Sequence, residues 1–362
     1  MTIIAAHGQI VTALGDRQQT WQGLCQGRSG LRPLQPPGFH DPWPVALCAL
    51  DGELGSPRRL ASLLEVLLAT VPALPARTPV ICATTKAAPD ELLAGAPDLV
   101  AQAPHLAALL RQRLPWAGEV ETVSAACASG TLAIMQAAMR LEAGECQAVL
   151  VVGLDLVSRF VLAGFASLQA LSTSGCRPFD ARRDGLSLGE GGGWLLLATL
   201  EGARELGLAP SARLAGWGTA CDATHITAPC RYGSGLIAAL QQATRQGSLP
   251  VGAINAHGTG THYNDAMELT AFAHQWQAPP PVHSVKGALG HCLGGAGVIE
   301  SVLCLETLAS GHIPPTIGFR AGADSTVPIS GTACQPLLAP SILTCNSGFG
   351  GINAAILFEA YP

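Results

Sequence analysis

One cysteine, two histidines, a lysine and a glutamate stand among small residues, where side chains of those types could do chemistry. Cys127 lies in "VSAACASG" (123–130), with apolar, helix-like sequence directly after it. A thiol at a strand-to-helix turn sits over a helix N-terminus, where unpaired N–H groups and the macrodipole favour a thiolate. Ala125, Ala126, Ala128, Ser129 and Gly130 would let a substrate carbonyl approach, and the Cys127 backbone N–H would point at a developing oxyanion. Taken alone, a cysteine packed before a helix explains the stretch equally well.

The second stretch, "NAHGTGTHYND" (255–265), presents His257 at the end of an apolar run and ahead of a Gly/Thr turn. Crevices at the carboxyl ends of strands are where α/β sheets bind ligands. Thr259 and Thr261 could offer hydroxyls to a polar ligand arm; a plain turn capped by His257 is the competing reading. In "SVKGALGHCLGGAGVIE" (284–300), Lys286 and His291 precede small residues that permit tight helix packing or close ligand approach, and Glu300 could pair with a cation. "CNSGFGGIN" (345–353) places Phe349 on a hinge-capable glycine loop, with a backbone N–H available as a second oxyanion donor. "RPFDARRDGLSLGEGGGWLLL" (177–197) carries Asp180, Arg182, Arg183, Asp184 and Glu190, a density that fits a structural ion-pair network beside the site.

These stretches need a scaffold, and the composition supplies one. The chain has 362 residues, 48% hydrophobic and only 12% charged, enough for two domains or one large duplicated core and unlike a disordered chain. The net charge of −5 gives no general attraction to nucleic acid or anionic membrane. The start, "MTIIAAHGQIVTALG", lacks a basic region, and no apolar run reaches a membrane span; the best, "LASLLEVLLATVPAL", carries Glu65. Twelve cysteines without a CxxC pair read as a reducing, cytoplasmic setting with mostly packed thiols.

"PVICATT" (79–85), "AVLVVGLD" (148–155) and "GAINAHG" (252–258) read as buried strands. Residues 128–143 read as a helix closed by Gly144. Its apolar positions Leu132, Ala133, Ala137, Met139 and Leu141 cover most of its circumference, as in a helix buried between layers. Residues 57–71 and 235–246 are further helices, and the Pro-rich stretches 31–44 and 278–283 are loops. Strand–helix alternation points to α/β layers with buried sheets.

Taken in order, "SAACASG", "RPFDARRDGLSLGEGGG", "AHGTGT", "KGALGH" with Glu300 nine residues after the histidine, and "NSGFGG" resemble the β-ketoacyl-acyl-carrier-protein synthases of the thiolase superfamily, KAS I/II type. That resemblance implies a duplicated α/β thiolase fold, five-layered αβαβα, with halves 1–200, carrying the cysteine, and 201–362, carrying the histidines and the gate. It implies Cys127 as nucleophile, His257 and His291 as the two histidines and Lys286 as the active-site lysine. Glu300 would be the lysine's acidic partner, Phe349 the gating aromatic, and Thr259 and Thr261 contacts of a phosphopantetheine arm. The implied reaction is decarboxylative condensation of malonyl-carrier protein with an acyl group on Cys127, in fatty acid or polyketide synthesis. It needs no metal or redox cofactor, since loss of CO2 drives it and phosphopantetheine arrives on the carrier.

Implied partners are an acyl carrier protein and a second synthase subunit, identical or not. Carrier proteins are acidic, so Arg58/Arg59, Arg111/Arg113 and Arg182 are docking candidates. The chain departs from the family in "TTKAAPDE" (84–91), where a glycine-rich segment is expected, and in an abbreviated stretch over 96–121. "NSGFGG" lacks an additional aromatic, and "HYND" has Asn264 where the family has glycine, a residue that tolerates the left-handed turn. Such trimmed chains resemble synthases of secondary polyketide pathways, aryl-polyene types included, where a chain-length-factor-like partner subunit is the alternative role. A thiolase is disfavoured by His291 and by the lack of a second catalytic cysteine motif.

Overall fold

The computed structural model describes residues 2–36, 38–96, 102–322 and 326–361. The central strands of its main sheet follow from short apolar runs that leave no polar face, as the fully buried Ala148–Asp155 and Gly191–Thr199 show. The first half of the chain contributes β1 (Ile3–Thr12), β2 (Thr78–Ala83), β3 (Ala117–Val123), β4 (Ala148–Asp155) and β5 (Gly191–Thr199). The second contributes β6 (Ala212–Cys221), β7 (Ile254–Asn255), β8 (Val282–His283), β9 (Ser341–Gly348) and β10 (Ile352–Glu359). Neighbouring strands run β8-β7-β9-β10-β6-β1-β5-β4-β2-β3. Read from each outer edge inward, the two halves have the same order of strands: third, second, fourth, fifth, first. They join through an antiparallel contact of only two residue pairs, Ile4 with Arg213 and Ala5 with Ala212.

Alternation within strands builds five layers. In β4, Leu150, Val152 and Leu154 pack outward with Leu60, Leu63, Leu64 and Leu67 of helix α1 (Pro57–Leu68), and with Leu106 and Leu110 of α2 (Ala103–Arg113). Val149 and Val151 face inward, towards α3 (Ser129–Glu142) and a long helix near the C-terminus. In β10, Ala354, Ile356 and Phe358 join that inner core, whereas Ala355 and Leu357 face a third core. The third core holds Leu236, Ala239 and Leu240, and Met267 and Phe272, from two outer helices. Counting α4 (Arg159–Ser167), which borders the site, these are α5 (Ser234–Arg245) and α6 (His262–Gln275), and the long inner helix is α7 (Ala296–Ser310). The order helices, sheet, α3 with α7, sheet, helices is the αβαβα stack.

Several local expectations change. The Pro-rich stretch is not all loop: Leu31–Leu34 and Trp43–Ala46 pair antiparallel, with Pro33 opposite Pro44 in an isolated two-stranded ribbon that tolerates missing donors. "GAINAHG" keeps strand pairing only at Ile254–Asn255. Helix α3 is buried on its core faces, but Met139 is 59% exposed, so the helix has an open side that its all-round apolar pattern concealed. Leu293–Ser310 is apolar and long enough to span a bilayer, yet 78% of it is buried inside the fold as the inner layer. Residues 97–101 of the abbreviated stretch lie outside the described residues, and α2 begins shortly beyond them.

Candidate active site

Helices α3 and α7 cross where small residues allow backbone to touch backbone. A Cβ on Gly130 would lie 2.8 Å from the Val298 nitrogen and 2.9 Å from the Gly294 oxygen, and one on Gly297 would run into Thr131. Of the two uses open to these glycines, helix packing is the one they serve. At the head of α3, Ala126 is held at φ +48, a left-handed conformation that costs a non-glycine residue energy. Ser129 fixes it: its Oγ accepts from the Ala125 N–H at 2.8 Å and donates to the Ala126 carbonyl at 2.6 Å. This turn presents Cys127.

His291 is pinned by the stretch before β5, its N–H donating to the Ser187 carbonyl and its own carbonyl accepting from the Gly189 N–H. Its Nε2 lies 2.9 Å from the Cys127 Sγ. The His257 ring stands edge-on to it, centroids 5.1 Å apart. His257 is carried just beyond β7 on a turn with left-handed Gly258 and Gly260, whose backbone N–H groups find acceptors in two buried carboxyl groups. Glu268 accepts from the His257 and Gly258 N–H groups, each at 2.7 Å; Asp265 accepts from Thr259 and Gly260. Asn264 departs from expectation: it sits in α6 and donates to Glu268 at 2.8 Å, so it serves as a bracing donor rather than a left-handed turn residue.

Lys286 is fully buried and paired with Glu300. Burial disfavours its ammonium, but Glu300 more than offsets this and holds its pKa above the ordinary lysine value. Burial, and then the Lys286 charge, push His257 and His291 well below the usual imidazole range, so both rings are neutral. Burial also pushes the Cys127 thiol up to about 12, against the pull of Lys286. Burial thus opposes the thiolate that a helix terminus alone would favour. The resting group is a thiol with an imidazole nitrogen beside it.

The cleft of about 310 Å³ over these groups is lined by Cys127, His257, His291, Thr259, Thr261 and Phe349 among others. The Thr259 and Thr261 hydroxyls are 2.9 Å apart. A Cβ on Gly348 would sit 3.3 Å from the Cys127 nitrogen, so the β9–β10 turn carrying Phe349 crosses directly over the head of α3. All eight residues singled out from the sequence thus converge, Lys286 and Glu300 lying just behind the cleft. Cys127, His257 and His291 also form a trio whose ligand atoms lie within 4.8 Å of one another, a set that could hold a soft metal ion.

Four further contributors escaped sequence reading. Phe165 of α4 faces Phe349, ring centroids 5.7 Å apart, supplying from elsewhere the aromatic that "NSGFGG" lacks. Asp155 at the end of β4 accepts from the Thr84 hydroxyl and from the Thr85 and Gly294 N–H groups, tying three loops beneath the site; burial pushes its carboxyl up to about 6. Glu268 and Asn346 brace the histidine side. In each case the partner lies far off in sequence or bonds to backbone, which leaves no motif. One docking candidate is withdrawn: Arg59 is buried and paired with Glu190. Arg58, Arg111, Arg113 and Arg182 remain exposed or largely so. The 177–197 stretch is the expected ion-pair network, with Asp180 on Arg182, Asp184 on Arg177 and Arg183 towards Asp265.

Comparison with known proteins points the same way. Residues 85–203 match the family description "Beta-ketoacyl synthase, N-terminal domain", and residues 211–320 its C-terminal counterpart. The chloroplastic 3-oxoacyl-[acyl-carrier-protein] synthase II of Arabidopsis thaliana is 35% identical over 269 residues, 70% of this chain and 50% of that protein. The chain spans between half and two thirds of the length of the curated relatives it matches. Among solved structures, the ishigamide ketosynthase/chain length factor superposes with a TM-score of 0.86 at 28% identity, covering 100% of this chain and 99% of that one. A ketosynthase in complex with its chain length factor from Xenorhabdus doucetiae gives 0.83 at 27% identity, covering 99% and 98%.

Proposed function

The chain belongs to the β-ketoacyl synthase family, and from that premise we propose that it is itself a condensing enzyme, joining a Cys127-bound acyl group to malonyl-carrier protein. The observation that carries the reading is the 2.9 Å contact between the Cys127 Sγ and the His291 Nε2, with His257 beside them in one buried cleft.

In the first half-reaction the Cys127 thiol attacks the carrier thioester while its proton passes to His291 and on to the departing pantetheine sulfur. The oxyanion of the tetrahedral intermediate would rest on the backbone N–H groups of Cys127 and Phe349, the Gly348 turn crossing the head of α3. In the second, a malonyl thioester loses CO2, and N–H groups of His257 and of His291, whose ring proton has moved from Nδ1 to Nε2 between the half-reactions, stabilise the enolate oxygen. The carbanion attacks the acyl carbonyl, leaves a 3-oxoacyl-carrier product and expels Cys127 as a thiolate, which takes up a proton from solvent to restore the resting thiol. Neutral imidazoles suit this role, since each carries one N–H to donate and no charge to place. Lys286 supplies the positive potential, fixed by Glu300. Thr259 and Thr261 would receive the phosphopantetheine arm, and Phe349 with Phe165 would gate it. Release of CO2 drives the sequence, so the reading invokes no resident metal or redox group.

The solved relatives that pair a ketosynthase with a chain length factor support a second synthase-like subunit as partner. Those same relatives are consistent both with this reading and with the alternative, a subunit that shapes a partner's pocket; the intact Cys127–His291 contact argues for turnover here. Intact mass spectrometry decides. The chain, alone and with its synthase-like neighbours, is incubated with acyl-carrier protein. Acyl mass on this chain, lost in Cys127→Ala, supports the enzyme. Labelling only of a partner's cysteine overturns it in favour of the alternative.

A further inference from the structure

Asn346 sits fully buried in β9, between the carboxylate and the histidine sides of the site. Its Nδ2 donates to the Glu300 Oε2 at 2.7 Å and lies 3.3 Å from the His257 Nδ1, while its Oδ1 accepts from the Thr131 hydroxyl. An amide can usually be turned round without loss; here Glu300 decides its orientation. The other oxygen of Glu300 is held by the Lys286 ammonium, so Glu300 is a carboxylate and only accepts. The amide atom facing it is therefore the NH2 nitrogen. That nitrogen has two hydrogens and no acceptor capacity, so the His257 Nδ1 must be the acceptor. A neutral imidazole has one ring proton, which is left on Nε2, at the far side of the ring.

We propose that Asn346 is a positioning residue that locks His257 in its Nε2–H tautomer, aiming a permanent N–H donor into the cleft where the enolate oxygen of the malonyl thioester forms. The consequence for catalysis rests on the condensing-enzyme reading; the tautomer itself does not. The two histidines then differ in kind. The His291 Nδ1 has no hydrogen-bond partner among the described residues, so nothing fixes its proton, and His291 is free to take the Cys127 proton and pass it on. His257 donates throughout; His291 exchanges.

Two-bond proton–nitrogen spectra of the full chain labelled with 15N-histidine distinguish the tautomers directly. The wild type is expected to show His257 as Nε2–H. Asn346→Asp replaces the donor with an acceptor and should turn the ring to Nδ1–H. Decarboxylation of malonyl-carrier protein should then fall about 10²-fold, while acylation of Cys127 changes less than about threefold. Asn346→Ser adds no charge beside Glu300 and covers the case in which the aspartate variant fails to fold; it should give mixed tautomers and a roughly tenfold loss of decarboxylation. An Nδ1–H signal for His257 in the wild type overturns the proposal. So does an unchanged tautomer in the variants, or an equal loss of acylation and decarboxylation. A wild type inert towards both carrier substrates overturns the condensing-enzyme reading instead, and the spectra still decide the tautomer.

Discussion

Lys286 and Glu300 are both out of water, so neither tolerates the loss of the other. Lys286→Met should destabilise the fold by about 3–5 kcal/mol in urea titrations, because it leaves a buried carboxylate unpaired; Lys286→Met with Glu300→Leu should recover much of that. Recovery of nothing would mean that Glu300 acts chiefly through Asn346. At the surface, Arg182 keeps a 58% exposed side chain beside Asp180 and adjoins Arg183, which reaches towards His262 on the cleft. Arg182→Glu should raise KM for an acyl carrier protein several-fold at low salt, and an unchanged KM would remove this docking site. At this scale the sequence was legible where a reactive residue stands among glycines and alanines, as Cys127, His257 and His291 do. It was silent where a role comes from a distant partner: nothing local marks Asn346 as a neighbour of Glu300, or Arg59 as the buried mate of Glu190 rather than a surface charge.

Among the elements, the crossing of α3 and α7 sets the position of both Cys127 and His291. Gly130→Ala would drive a methyl to within 3 Å of the Val298 nitrogen and the Gly294 oxygen, backbone atoms with little room to retreat. It should lower stability by about 1–3 kcal/mol and lengthen the Sγ–Nε2 contact, slowing acylation of Cys127. Wild-type stability and acylation in this variant would show that the helices can part without harm. The apolar pattern foretold α3, and the apolar runs foretold β2 and β4. It missed the ribbon at Leu31–Leu34 because two facing prolines in an isolated pair violate what a central strand requires. It overextended β7 because "GAINAHG" looks apolar well past the two residues that pair.

For the molecule as a whole, buried histidines set the response to acid. His283 is fully buried with neither ring nitrogen partnered among the described residues, and burial pushes it down to about 3. Its folded value lies below its unfolded one, so the stability it permits is present above about pH 6.5 and is lost as pH falls towards 3. Glu268, pushed up to about 8, and Asp155, at about 6, tilt the curve the other way, so a difference between proteins isolates the histidine. His283→Leu should gain about 2 kcal/mol on the wild type between pH 8 and pH 5, read by urea unfolding at each pH. Equal differences at both pH values would show that His283 protonates freely in the folded chain. No motif flags this residue, because its burial comes from strand pairing, with Asn255 of β7 opposite it.

The identical strand order of the two halves has one more consequence. In each half a helix comes after the third strand: α3 after β3, and α7 after β8. The loop that presents Cys127 and the loop that presents His291 are thus one and the same position of the motif, used twice. The two copies meet head to head at an antiparallel seam, as a dyad would bring them. The thiol and the imidazole that touch are symmetry mates in place though not in kind. The contact that carries the proposed chemistry therefore joins equivalent loops of the two halves that hold unlike residues.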